Sequence, residues 1–330
     1  MPTEPDPLID FHPSTAPHSP SARPRILFMG TPEFAVASLD AILHAGYHVV
    51  AVLTAPDKPA GRGMLLTESA VKKYAREKGL PILQPEKLKA PAFLDELRAL
   101  AADLQIVVAF RMLPEVVWNM PPMGTVNLHG SLLPQYRGAA PINWAVINGE
   151  TRTGVTTFKL QHDIDTGNIL LQKEIPIRPD ETAGELHDEM KTIGAQLLVQ
   201  TIAGLTAGTL TAVPQENPPN LRHAPKLSTE TSRIDWTKPI ADIYNLIRGL
   251  SPFPAAFTEL DGKLLKIYRA AKDPTPPPPV TPAGQPDTDN RTYLRFAAPD
   301  GYIRITELQL EGKKRMKTED FLRGYKPSHK

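Results

Sequence analysis

The sequence predicts an α/β protein: a doubly wound domain around a mostly parallel sheet, followed by a small β-rich domain. Three observations predict it. From Arg25 onward, short apolar runs alternate with segments of helical periodicity. The run Leu104–Phe110 is apolar almost throughout, as in a parallel strand covered by helices on both faces. Beyond residue 250, short strand patterns succeed one another with little helix between them.

The elements follow in order. Arg25–Met29 reads as a strand ending at Gly30, and Pro32 opens a helix carrying Phe34, Ala37, Leu39, Ile42 and Leu43, with Gly46 placed to end it. Tyr47–Thr54 is a Val-rich strand. Ala70, Val71, Tyr74 and Ala75 mark a helix ending at Gly79, and Leu80–Leu83 a short strand. Pro91 starts a helix with Phe93, Leu94, Leu97 and Leu100 facing inward, ahead of Leu104–Phe110. Thr153–Gln161 and Asn168–Ile177 are neighbouring strands expected to pair antiparallel at one sheet edge. Thr182 with Glu185 has the spacing of a capping box before a helix built on Leu186, Met190, Ile193 and Leu197. Pro214, Pro218, Pro219 and Pro225 lie in a polar stretch read as an interdomain linker. After it come a helix on Ile243, Leu246, Ile247 and Leu250 and the strands Ala256–Leu260, Leu264–Arg269, Tyr293–Ala297 and Tyr302–Leu308, which point to a small barrel or sandwich. Seven prolines between Pro274 and Pro286 require an exposed loop, since Pro cannot donate to a sheet ladder. The division is therefore 1–24, a Pro-rich leader expected to be disordered; 25–210, the catalytic domain; 211–227, the linker; and 228–330, the second domain.

Composition excludes several function classes. The chain of 330 residues has no Cys, so disulfides, thiolate metal sites and a Cys nucleophile are all ruled out, in keeping with a reducing, cytoplasmic setting. It has no long apolar run that could span a membrane, and the leader lacks the apolar segment of a secretory signal. Net charge is only +1, so any polyanion must be met by local clusters. One such cluster is Lys313, Lys314, Arg315 and Lys317, which reads either as a solvated turn or as a phosphate-contacting surface.

In an open α/β sheet, ligands bind outside the carboxyl ends of the strands. After the first strand, Gly30-Thr-Pro-Glu lacks the glycine spacing and bare backbone that a dinucleotide pyrophosphate needs, which speaks against a nicotinamide or flavin oxidoreductase. Asn127 and His129 are two apart in a strand pattern, so they share one face while Val126 and Leu128 take the other. Buried polar pairs are costly unless satisfied or working, and a structural hydrogen bond is the plainer explanation. Gly130 and the small residues 138–140 would let the backbone approach a ligand. Asp163 and Asp165 lie in a polar turn, where Asp is often only a turn former; near His129, a carboxylate would instead orient the imidazole and favour its charged form. The His and Asp spacings do not suggest a metal.

The segments Asn127-Leu-His-Gly-Ser-Leu-Leu-Pro134 and Tyr136-Arg-Gly-Ala-Ala-Pro-Ile142, with Asp165-Thr-Gly167 thirty-eight residues beyond Asn127, resemble the 10-formyltetrahydrofolate-dependent formyltransferases. Gly30-Thr-Pro-Glu-Phe34, the loop Pro56–Gly63, Lys226-Leu-Ser228, Arg233-Ile-Asp-Trp236 and Gly312–Met316 narrow the resemblance to the members that formylate methionyl-tRNA. The likeness runs from about Arg25 to Tyr325. It implies a Rossmann-like formyltransferase domain followed by an OB-like β-barrel, 10-formyltetrahydrofolate as formyl donor, initiator methionyl-tRNA as partner, no metal, and a monomer. By the same resemblance Asn127, His129 and Asp165 line the formyl-transfer site. Ser131, Leu132, Leu133 and Pro134 lie along the folate, and Phe110, Met112, Leu113, Asp163 and Ile164 surround its pterin. Lys58 and Arg62 meet the acceptor-stem end of the tRNA, with Arg62 at the position that senses the unpaired first base pair. Lys313, Lys314 and Arg315 face the tRNA backbone. Two departures stand out: Arg111 lies where relatives have a Tyr-Gly pair and an apolar run, and Met64-Leu65 where they often carry Lys. Competing readings are a formyltransferase of the same fold acting on a small amine such as glycinamide ribonucleotide, which would need neither the second domain nor the Pro56–Gly63 loop, and a tRNA-binding protein without catalysis, against which Asn127, His129 and Asp165 argue.

Overall fold

The structure, a computed structural model, describes residues 23–60 and 65–325. The first half runs β1 (Arg25–Gly30), α1 (Glu33–His44), β2 (His48–Leu53), the hairpin β3 (Lys58–Ala60) and β4 (Leu65–Thr67), α2 (Ala70–Glu77), β5 (Ile82–Leu83), α3 (Pro91–Ala99), β6 (Leu104–Val108), α4 (Glu115–Trp118) and β7 (Thr125–His129). Then come β8 (Arg137–Gly138), α5 (Pro141–Ile147), β9 (Arg152–Lys159), β10 (Ile169–Pro176) and the long α6 (Ala183–Thr206). Their main sheet has seven strands in the order β10-β9-β7-β6-β1-β2-β5. Strands β5, β2, β1, β6 and β7 are parallel, whereas β9 and β10 add an antiparallel edge, as the strand spacing predicts.

Alternation along β1 shows why this sheet is buried on both sides. Ile26 and Phe28 join the core beneath α1 and α6, while Leu27 and Met29 face the opposite core with Phe93, Leu97 and Val117. All five residues of β6, at the sheet's centre, are buried. Pro91 does start α3, where its missing N–H costs nothing. The Thr182–Glu185 capping box starts α6: the Thr182 hydroxyl accepts from the Glu185 N–H and the Glu185 carboxylate accepts from the Thr182 N–H.

Two residues at the end of the expected 1–24 leader are packed on the folded body. Arg23 and Pro24 belong to the body: the Arg23 guanidinium donates to the carbonyls of Ala45 and Gly46 and lies 5.8 Å from the centroid of the Tyr47 ring, and Pro24 is buried. Residues 1–22 lie outside the described residues. The segment expected to link the domains docks on the first one: it forms β11 (His223–Ala224), which pairs parallel with β8, and Val213 bridges to Ile169. Its polar residues bind the catalytic domain, which composition alone cannot distinguish from solvation.

The second domain runs α7 (Thr229–Ser232), α8 (Ile240–Leu250), β12 (Ala256–Leu260), β13 (Lys263–Asp273), β14 (Pro286–Thr288), β15 (Leu294–Ala298), β16 (Gly301–Leu310), β17 (Met316–Lys317) and α9 (Thr318–Leu322). Its antiparallel sheet follows the order β12-β13-β16-β15-β14, and β17 adds to the end of β16. Register shifts in β13 between Ile267 and Ala270 bend the sheet. The result is a curled half-barrel, with α8 closing its core through Ile243, Ile247 and Leu250. The Pro-rich segment is largely exposed, as expected, but Pro286 opens the edge strand β14, where no donor is needed. The domains meet along α5 and α8: the Asn143 amide donates to the Gly249 carbonyl at 2.8 Å, and a Cβ on Gly249 would lie 2.5 Å from the Ile147 side chain.

Candidate active site

A cleft of about 1180 Å³ opens at the carboxyl ends of β6 and β7, walled by the catalytic domain and by residues 251–253, Arg269 and Arg315 of the second domain. Asn127, His129 and Asp165 all line it. Strand β7 supplies the first two. Running parallel to β6 and antiparallel to β9, it aligns Asn127 with Val107 and Phe158, and His129 with Thr156. Period-two geometry sends Asn127 and His129 to the cleft, while Val126 and Leu128 pack in the core under α6. The Asn127 carboxamide has no hydrogen-bond partner among the described residues and is only half-buried, so both its amide donors and its carbonyl are available to a ligand.

His129 is 6% exposed and is held by backbone. Its Nε2 lies 2.9 Å from the Tyr136 carbonyl oxygen. A carbonyl only accepts, so Nε2 carries a proton and Nδ1 is the nitrogen left for chemistry. The Phe158 ring meets the imidazole edge-on, with centroids 6.5 Å apart. Asp165 Oδ2 is 3.7 Å from Nδ1, too far for a hydrogen bond but close enough to stabilise a charged imidazole. The expected orienting role therefore passes from the carboxylate to the Tyr136 carbonyl. Sequence carries no signature of that contact, because any residue has a carbonyl.

Asp165 is itself fixed. Its backbone adopts the left-handed conformation, with φ 55°, which Asp tolerates better than most residues. Its Oδ2 accepts from the Gly138 N–H at 2.9 Å, and its carbonyl accepts from the Gln215 amide at 2.8 Å. Gln215 also donates to the Gly167 carbonyl and accepts from Arg137, so the linker holds the Asp165 turn in place. Gly138 has φ 129°, and a Cβ there would lie 2.4 Å from the Ala224 carbonyl oxygen. Its bareness thus serves the docked linker, a use that the expected approach to a ligand does not capture. Tyr136 is anchored through a hydroxyl donating to Glu150 at 2.5 Å; burial and that bond push its phenol above the ordinary value.

The residues expected around a pterin, Phe110, Met112, Leu113, Asp163 and Ile164, also line the cleft, with Met112 77% and Ile164 62% exposed. Arg111 turns its guanidinium to the carbonyls of Pro85 and Glu86, tying down the loop that carries Met112. The segment Ser131–Pro134 is not part of the cleft lining. Ser131 is fully buried and donates to the Gln135 carbonyl, and the Leu133 N–H donates to the Thr156 hydroxyl. These residues shape the turn beneath the site. Lys58 lies in the β3–β4 hairpin, away from the cleft lining, and Arg62 lies outside the described residues. Arg315 reaches the cleft wall but is already engaged, bidentate to Glu307 at 2.7 and 2.8 Å and over the Tyr268 ring. Lys313 and Lys314 are exposed and have no ion-pair partner among the described residues. Among the described residues no group of three or more His, Asp or Glu side chains is placed to hold a metal.

A family model described as Formyl transferase matches residues 24–202, and one described as Formyl transferase, C-terminal domain, matches residues 226–326. Methionyl-tRNA formyltransferase of Parabacteroides distasonis is 57% identical over 312 residues, covering 92% of this chain and 96% of that protein. Its counterpart in Bacteroides fragilis is 52% identical over 309 residues, covering 91% and 95%. Among solved structures, a sugar 3N-formyl transferase in the presence of dTDP and 5-N-formyl-THF superposes with a TM-score of 0.64 over 89% of this chain and 100% of that one; at 20% identity it attests the fold alone. With both domains matched and relatives this similar over nearly their whole length, the chain belongs to the formyl transferase family, in its methionyl-tRNA formyltransferase branch.

Proposed function

We propose that the chain transfers a formyl group from 10-formyltetrahydrofolate to the free amine of initiator methionyl-tRNA. The observation that carries the chemistry is the convergence of an unpartnered Asn127 carboxamide, His129 and Asp165 in one two-domain cleft at the carboxyl ends of β6 and β7. The substrate assignment draws its support from relatives that carry this activity in their names.

In this reading the methionyl amine attacks the formyl carbon. A carbon–nitrogen bond forms, the bond from the formyl carbon to the folate nitrogen breaks, and the amine gives up one proton while the folate nitrogen gains one. The tetrahedral intermediate places negative charge on the former carbonyl oxygen, to which the Asn127 amide donates. His129 works through Nδ1, since Nε2 is held by Tyr136: protonated, it donates to the oxyanion, and Asp165 stabilises that charge from 3.7 Å. No covalent intermediate on the enzyme is needed. The exposed apolar side chains of Met112 and Ile164 suit the flat pterin, and the basic residues of the second domain suit the tRNA backbone.

A small-amine substrate is the less favoured reading, because the second domain contributes part of the cleft wall and the relatives match over both domains. The deciding experiment measures formyl transfer from 10-formyltetrahydrofolate to charged initiator tRNA, charged elongator methionine tRNA and glycinamide ribonucleotide. Transfer confined to, or strongly favouring, the initiator is the expected result. Turnover of glycinamide ribonucleotide alone would reverse the assignment.

A further inference from the structure

The cleft wall supplied by the second domain contains an aromatic ring that the transfer chemistry leaves unused. Phe253 is 81% exposed, yet it lines the same cleft as Asn127 and His129. Its neighbours hold it in place. Pro252 and Pro254 restrict the backbone on either side of it. The Ser251 carbonyl accepts from the Gly184 N–H at 3.0 Å, and the Ala255 N–H donates to the Leu250 carbonyl at 2.9 Å. Close packing joins this loop to the start of α6: a Cβ on Gly184 would lie 2.4 Å from the Pro252 ring. The ring is thus displayed on an anchored loop, so little backbone entropy remains to be lost when a partner covers it.

Its surroundings narrow the partner. Arg269 and Arg315 line the same cleft, each paired with a carboxylate and each retaining further N–H donors. Met112 and Ile164, the exposed apolar side chains assigned above to the pterin, stand on the catalytic-domain side, leaving Phe253 to the other substrate. An exposed flat ring accompanied by guanidinium groups matches a partner that is both aromatic and anionic, which describes a nucleotide and not a methionine side chain.

We infer that Phe253 is a stacking platform for an unpaired base at the aminoacylated end of the tRNA acceptor strand, with Arg269 and Arg315 facing the adjoining phosphates. This rests on the methionyl-tRNA reading above and adds the residue that receives the nucleic-acid end of the substrate.

The test compares Phe253→Ala, Phe253→Leu and Phe253→Trp with the unchanged protein, measuring kcat/KM on charged initiator tRNA and Kd for charged and uncharged initiator tRNA. Alanine and leucine are expected to weaken both Kd values alike and to lower kcat/KM roughly five- to 100-fold, mainly through KM. Tryptophan should preserve both. Affinity for tetrahydrofolate and the melting temperature should stay unchanged, because the side chain is solvent-facing. Three results would overturn the inference: leucine performing as well as phenylalanine, a loss confined to charged tRNA (which would put the ring on the methionyl group), or no loss in any variant. Failure of the unchanged protein to formylate charged tRNA would instead remove the reading on which the inference depends.

Discussion

Asn127 and His129 share a strand face but are held differently, and the difference sets what each substitution should do. The Asn127 carboxamide is unpartnered, so Asn127→Ala removes a donor from the cleft without orphaning a buried group. His129→Ala additionally frees the Tyr136 carbonyl, which loses its imidazole donor. Both variants should lower kcat by ~100–1,000-fold while leaving folate affinity within a few-fold, because the oxyanion exists only along the reaction path. Titrating tetrahydrofolate against each variant and measuring single-turnover transfer separates the two effects. A variant with normal turnover and weak folate binding would make that residue a folate ligand. The pairing of these side chains was readable from a two-residue spacing in an apolar run. The donation of His129 Nε2 to the Tyr136 carbonyl was not, since a main-chain acceptor seven residues away has no residue type to announce it. Nor was Phe253: its flanking prolines were visible, but exposure at a cleft depends on where the second domain docks.

At the scale of elements, the start of α6 joins local capping to domain contact. Thr182 and Glu185 form the capping box, and the same Glu185 carboxylate accepts from Arg269 at 2.5 Å across the domain boundary. Burial alone would raise the Glu185 pKa, but its bonds with Thr182 and Arg269 outweigh this and hold it below the ordinary value of 4.5. A carboxylate with a depressed folded-state pKa contributes stability that is fully present above its unfolded value and is lost as pH falls through the folded one. The contribution of Glu185 should therefore be constant near neutrality and disappear below the ordinary glutamate range. Glu185→Gln keeps a capping acceptor but loses the ion pair, so its melting temperature should fall less steeply than that of the unchanged protein between about pH 5 and pH 3. Thr182→Ala should cost about 1 kcal/mol near neutrality and less as Glu185 takes up a proton, because the hydroxyl also donates to that carboxylate. Parallel melting curves for Glu185→Gln and the unchanged protein would show that the Arg269 contact contributes nothing. The capping box was legible because it is a four-residue pattern. Docking of the linker was not: Gln215 reaching Asp165 fifty residues away depends on the folded arrangement of the strands.

For the whole molecule, the question is how a chain with a net charge of only +1 engages a polyanion. Bulk attraction is negligible at that charge, so affinity must come from local cations, and those not paired with carboxylates contribute the most net charge. The structure divides the predicted cluster on this basis. Arg315 is bidentate to Glu307, whereas Lys313 and Lys314, in the turn between β16 and β17, have no ion-pair partner among the described residues. If both lysines contact phosphates, Lys313→Ala and Lys314→Ala should each weaken initiator and elongator tRNA alike and reduce the slope of log K against log salt by roughly 0.7–0.9. Arg315→Ala should break that pattern, since it also releases Glu307 and uncovers the Tyr268 ring. For selectivity we propose Arg62, on the strength of the sequence resemblance. Arg62→Ala should lower kcat/KM for the initiator roughly five- to 150-fold, blunt its preference over the elongator, and leave the salt slope nearly intact apart from one lost contact. Binding isotherms and steady-state kinetics on both tRNAs at two salt concentrations distinguish these behaviours. Lysine variants that shifted the initiator-to-elongator ratio would move recognition onto the second domain, and an Arg62→Ala protein with undiminished initiator preference would remove this residue from discrimination altogether.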